Sequence, residues 1–77
     1  MKKFAYLDSA EILHITKSEG IAKAHSGNGK VVMTEFPAKG GYPIDNVGNY
    51  YVLYSEKEDK HGRKIPYELE QLYLACK

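Results

Sequence analysis

Asn49-Tyr50-Tyr51-Val52-Leu53-Tyr54-Ser55-Glu56 is the stretch that decides how this chain folds. From Tyr50 to Tyr54 it is an unbroken aromatic, β-branched and aliphatic run, a composition that suits a pleated, half-buried surface. Strand alternation sends Tyr50, Val52 and Tyr54 to one face and Tyr51 and Leu53 to the other. Both faces are then apolar or amphipathic, so a sheet built on this strand needs a cover on each side. A helix supplies one cover; a loop or a partner surface must supply the second.

Outward from this strand, Val31-Val32-Met33-Thr34-Glu35-Phe36 has the same β-forming character and stops at Pro37, which cannot donate to a ladder. The two strands are separated by Pro37-Ala38-Lys39-Gly40-Gly41-Tyr42-Pro43-Ile44-Asp45-Asn46-Val47-Gly48, long for a connection in a compact domain. Its segment Gly41-Tyr42-Pro43 combines flexibility, an aromatic ring and a fixed φ. Such a segment either presents Tyr42 to a partner or plugs the sheet.

Towards the N-terminus, Phe4 to Leu7 and Ile12 to Ile15 flank Asp8-Ser9, whose side chains hydrogen-bond nearby backbone; an opening hairpin is predicted. Thr16-Lys17-Ser18-Glu19 fits a capping box and predicts a short helix over Lys17 to His25, weakened by Gly20. Ser26-Gly27-Asn28-Gly29 follows as a turn. Beyond the tyrosine strand, Glu56 to Lys64 carries mixed charge without apolar periodicity and reads as a solvated turn. Pro66 then opens a C-terminal helix in which Ile65, Leu69, Leu72, Tyr73 and Cys76 share a face. The predicted fold is a single small α+β domain spanning residues 1–77. It is a mainly antiparallel sheet of three to four strands, with the C-terminal helix on one face and a short helix between strands two and three.

A 77-residue domain buries only about 60% of the surface its unfolded chain exposes, so further support is to be looked for. Cys76 is the only cysteine, which rules out an intrachain disulfide. His14, His25 and His61 show no paired zinc spacing with it. Among the three usual supports, association is the one left. Seven tyrosines and two phenylalanines in a 43% hydrophobic chain argue for a folded state. The basic start is followed by too few apolar residues for an export signal, and no stretch is long and apolar enough to span a membrane. A soluble, cytoplasmic protein is expected.

No catalytic, metal or cofactor site is legible. Gly27-Asn28-Gly29-Lys30 lacks the glycine and the hydroxyl residue of a phosphate loop, which would stand at Ala24 and Val31. Cys76 falls on an apolar helix face, where free cysteine packs as a small hydrophobe. His14 alternates away from Leu13 and Ile15 and reads as exposed or hydrogen-bonded. The ten carboxylates are scattered without a calcium-loop spacing. The candidate interaction surface is Gly41, Tyr42, Pro43, Tyr51 and Leu53, and the favoured role is a small non-catalytic module that self-associates. Two other classes remain: single-strand nucleic-acid binding by tyrosines beside Lys30, Lys39, Lys57 or Lys64, and a small enzyme or ligand binder with its site at a dimer interface. The net charge of +1 makes nucleic acid the less favoured partner.

Overall fold

Six elements follow one another in the computed structural model, which describes residues 2–36, 42–52 and 67–77. They are β1 (Lys3–Leu7), β2 (Leu13–Thr16), α1 (Glu19–His25), β3 (Val32–Thr34), β4 (Tyr50–Val52) and α2 (Tyr67–Cys76). The strands form one sheet in the order β3-β1-β2-β4, with every neighbouring pair antiparallel. β2 and β3 both flank β1, so they run parallel to each other, and α1 supplies the crossover between them. Among the described residues no helix is long and apolar enough to cross a membrane.

The β1–β2 hairpin forms because Asp8 organises its turn. Asp8 Oδ1 accepts from the backbone N–H groups of Ala10 and Ile12 at 2.8 and 3.0 Å. The Asp8 and Glu11 amides donate to the carbonyls of Ile12 and Asp8. This is a three-residue loop whose last position needs a left-handed backbone, and Glu11 occupies it at φ 62°. The register pairs Ala5 with Ile15 and Leu7 with Leu13, so these four apolar side chains share one face.

That face holds the core. Ala5, Leu7, Leu13, Ile15 and Val52 pack against Leu69, Leu72, Tyr73 and Cys76 of α2, the helix face read from the sequence. Tyr73 also donates its hydroxyl to the Val52 carbonyl, tying α2 to the edge strand. The buried residues Tyr6 and Ala22 stand outside this cluster. Tyr6 alternates to the opposite face, and α1 packs on β1 and β2 there.

Several boundaries differ from the sequence reading. The N-cap of α1 is Ser18, whose hydroxyl accepts from the Ile21 amide; the capping box at Thr16 does not form. Thr16 is a buried β2 residue paired with Phe4. Its hydroxyl accepts instead from the Ser18 amide, so the helix starts two residues later than predicted. β3 is shorter than the predicted run from Val31 to Phe36. The connection before β4 contains a small hairpin of its own, with Ile44 bridged to Tyr50. The predicted Glu56–Lys64 turn, Ile65, Pro66 and the end of the tyrosine strand from Leu53 to Glu56 lie outside the described residues.

The Ser26–Gly29 turn is a junction. Gly27 donates its N–H to the Leu7 carbonyl at 2.8 Å, and a Cβ there would sit 2.6 to 2.8 Å from the Asp8–Ser9 backbone. Only glycine fits that approach. Asn28 donates to the Cys76 carbonyl at 2.8 Å and accepts from the Lys30 amide at 3.0 Å, so one turn grips both the first hairpin and the end of α2. Gly27→Ala is expected to cost about 1–3 kcal/mol through this backbone overlap. Gly20→Ala, whose added methyl meets only Ser18 Oγ at 3.8 Å, should be neutral or stabilising by up to about 1 kcal/mol. Urea denaturation of the two variants checks the contrast, and equal midpoints would refute the junction.

Candidate functional site

The register of β1, β2 and β4 aligns Tyr6 with His14 and His14 with Tyr51 on the face opposite α2. The imidazole stacks on Tyr6 at a centroid distance of 5.0 Å and an interplanar angle of 9°, while Tyr51 leans against it at 6.0 Å and 33°. His14 is thus the middle ring of a three-ring row across three strands.

Both ring nitrogens are occupied. His14 Nε2 lies 2.8 Å from Asp8 Oδ2 and Nδ1 lies 2.8 Å from Asp45 Oδ2. The histidine keeps 11% of its side-chain exposure, and the two aspartates 28% and 16%. Ionised carboxylates only accept hydrogen bonds, so this arrangement needs a proton at each of the two contacts.

The two aspartates sit in turns of the same construction. In Asp8-Ser9-Ala10-Glu11-Ile12 the first residue's Oδ1 accepts from the third and fifth amides. In Asp45-Asn46-Val47-Gly48-Asn49, Asp45 Oδ1 accepts from Val47 and Asn49, each at 2.9 Å. In both turns the first and fifth residues pair through backbone, the fourth amide donates to the first carbonyl, and the fourth residue has positive φ, 62° at Glu11 and 91° at Gly48. Each aspartate then turns its Oδ2 to the same histidine.

Burial pushes the Asp8 carboxyl up, but hydrogen bonds from His14 and from the Ile12 and Ala10 amides, with the charge of His14, hold it below its ordinary value. Asp45 shows the same balance: burial raises it, and the Asn49 and Val47 amides together with His14 bring it below. With both carboxyls held below their ordinary value, the aspartates are the acceptors of these two contacts and the ring nitrogens stand where donors are called for. The flat stack of Tyr6 covers one face of this ring. Burial, then the negative charges of Asp45 and Asp8, push the Tyr6 hydroxyl above its ordinary value despite the Asn49 side chain beside it, so it stays a neutral phenol.

A shallow cleft of about 360 Å³ opens over this cluster, lined by residues that include Ser9, His25, Gly27, Asn46 and Val47. With both nitrogens engaged, His14 has no free lone pair with which to take a proton or bind a metal. Among the described residues no group of three or more histidine, cysteine or acidic side chains is placed to hold a metal ion. Cys76 is fully buried; burial pushes its thiol up to about 11, the charge of Lys30 offsetting part of that, so it is a packed thiol and a poor nucleophile.

The residues singled out from sequence are dispersed. Tyr42 packs against the core cluster and meets Phe36 edge-on at 6.1 Å. Pro43 accepts from the Tyr51 amide at 3.2 Å, and Tyr51 flanks His14. Gly41 and Leu53 lie outside the described residues, as do Lys39, Lys57 and Lys64. Tyr6 and Tyr73 are buried, Tyr42, Tyr50 and Tyr51 are half-buried, and Tyr67 is the exposed tyrosine among the described residues. Base-stacking on a row of open tyrosines therefore finds little support there. The aspartate pair was not read from sequence. Asp45-Asn46-Val47-Gly48 does carry the signal of a type I turn closed by a left-handed glycine. Nothing local shows that His14, 31 residues away, lies between the two turns.

Because both carboxyls are depressed in the folded state, their contribution is present above the ordinary value of 3.8 and is lost as pH falls through the lower native values. Stability measured by denaturation against pH should fall as pH drops below about 4. Asp45→Asn should be less stable at neutrality with a shallower acid limb; parallel curves for the two proteins would contradict the clamp. Tyr42→Ala should cost about 2 kcal/mol of packing, a fall of about 10 °C in Tm at this chain length, and an unchanged Tm would show that the ring contributes nothing to the core. No protein-family model, curated protein or solved structure matches the chain, so this site is read from its own geometry.

Proposed function

We propose that the protein is a small non-catalytic interaction module whose contact surface is the hairpin from Tyr42 to Tyr51, and that it binds a second copy of itself. The observation that carries this reading is the display of apolar side chains on a firmly held turn. Ile44 is 59% and Val47 51% exposed, while Asp45 between them is fixed by two backbone amides and by His14. An apolar pair on a prearranged turn loses little conformational freedom on binding. Tyr51, half-buried behind the turn, adds an amphipathic ring of the kind enriched at contact surfaces, and Pro43 fixes the entry to the hairpin.

A second copy is the favoured occupant because a two-fold contact places the Ile44–Val47 patch against the same patch of the other copy, an apolar match that needs no further partner chemistry. It also supplies the additional burial that a domain of this length lacks. The histidine at the centre of the neighbouring cleft, committed at both nitrogens, favours a contact role over proton transfer.

Light scattering coupled to size exclusion, over about 10 to 500 μM, a range suited to weak association, tests the proposal. The native chain should shift to dimer mass, and Ile44→Asp with Val47→Asp should return it to monomer with an unchanged circular dichroism spectrum. A monomer throughout that range would overturn self-association, and a dimer untouched by the double variant would move the contact elsewhere.

A further inference from the structure

The two aspartate turns gripping His14 are not equally held by the rest of the molecule. The Asp8 turn closes the two central strands, which pair over four register positions, and the Gly27 backbone packs against it. The Asp45 turn itself is tied to the sheet by His14, while the ends of its arm are held by the Ile44–Tyr50 bridge, the bond from the Tyr51 amide to Pro43 and the packing of Tyr42 on the core. Loss of the His14 contact therefore has a larger effect on this turn than on the Asp8 turn, which the Gly27 backbone also holds.

Imidazolium donates from both nitrogens, whereas neutral imidazole has one donor and one lone pair. After loss of a proton, one carboxylate faces that lone pair, and repulsion replaces a charge-assisted bond. The less supported turn is the one that yields. We propose that the ring proton of His14 is a latch: with both nitrogens protonated the 42–49 hairpin is docked on the sheet, and with one proton gone the Asp45 arm is released while the Asp8 turn stays closed. The proposal rests on the contact role assigned to this hairpin and adds its control, since release turns a prearranged apolar surface into a mobile one.

Among the described residues the ionisable groups around the ring are few. Asp8 at the end of β1 and Asp45 on the hairpin are its direct partners. Tyr6 of β1 and Tyr51 of β4 face it as aromatic rings. His25, the last residue of α1, lines the same cleft and is the other histidine among the described residues. His25→Gln therefore belongs in the experiment as a control that removes the competing titration without touching the clamp.

The test follows the His14 ring nitrogens by ¹⁵N correlation spectra in His25→Gln, together with amide hydrogen exchange of Val47, Asn49, Ala10 and Ile12, at protein concentrations below any association. The expected result is that Val47 and Asn49 exchange at least about tenfold faster once the ring has lost its second proton, at rates corrected for the intrinsic effect of pH, with Ala10 and Ile12 unchanged. In Asp45→Asn, whose amide can either donate or accept towards the ring, protection of the hairpin should no longer follow the ring's titration. Hairpin protection that ignores the ring proton in the native pair, or equal loosening of both turns, would overturn the latch. Light scattering across the same titration separates the two proposals: release of the arm with no change in association keeps the latch and sinks the contact reading.

Discussion

The polar cluster on the face away from α2 depends on one histidine held at both nitrogens. His14 joins a turn inside the central hairpin to a turn 31 residues later in the chain, at 2.8 Å on each side. Its position is over-determined. The register of β1 and β2 sets its height, Tyr6 sets its plane, and two carboxylates set its rotation. The carboxylates are fixed in turn, because each spends its other oxygen on two amides of its own loop. A ring held this way is a connector first. Its chemistry is charge and direction, and the nucleophilic lone pair that makes histidine useful in catalysis is taken up.

The dry side of the sheet was legible because its causes are local. The apolar runs of β1 and β2 and the four-three spacing in α2 are properties of short windows, and the spacing identifies Leu69, Leu72, Tyr73 and Cys76 as one buried face. The short helix between strands two and three and the antiparallel arrangement followed from the same patterns. The start of α1 was misplaced because Thr16 satisfies a capping motif and a strand at once, and pairing with Phe4 won. A buried ladder position outweighs a cap worth about 1 kcal/mol.

The polar side was legible only in pieces. Asp8 was recognised as a turn-former and His14 as a side chain facing away from Leu13 and Ile15, yet their meeting needs the loop geometry that aims Oδ2 at the ring. Asp45 was one of ten carboxylates until its turn was seen to repeat that of Asp8. The repetition is hard to find by comparing residues, since Ser9-Ala10-Glu11 and Asn46-Val47-Gly48 share none. What they share is a backbone path, with the left-handed fourth position served by glycine in one and tolerated by glutamate in the other. Backbone equivalence without residue identity is the kind of relation that a sequence conceals.

The two faces divide the work of holding a short chain together. Burial against α2 is non-directional and tolerates some rearrangement, so by itself it leaves the 42–49 hairpin free to settle in several ways. A charge-assisted bond to a ring of fixed orientation accepts very few. The polar cluster therefore contributes uniqueness more than energy, because two part-exposed ion pairs give modest net stability but forbid any placement of the hairpin that strands a carboxylate. On the Asp8 side of His14 a second element packs directly on the turn, at Gly27. On the Asp45 side the described contacts hold the ends of the hairpin, and the tie of the turn itself to the sheet is the bond to the imidazole.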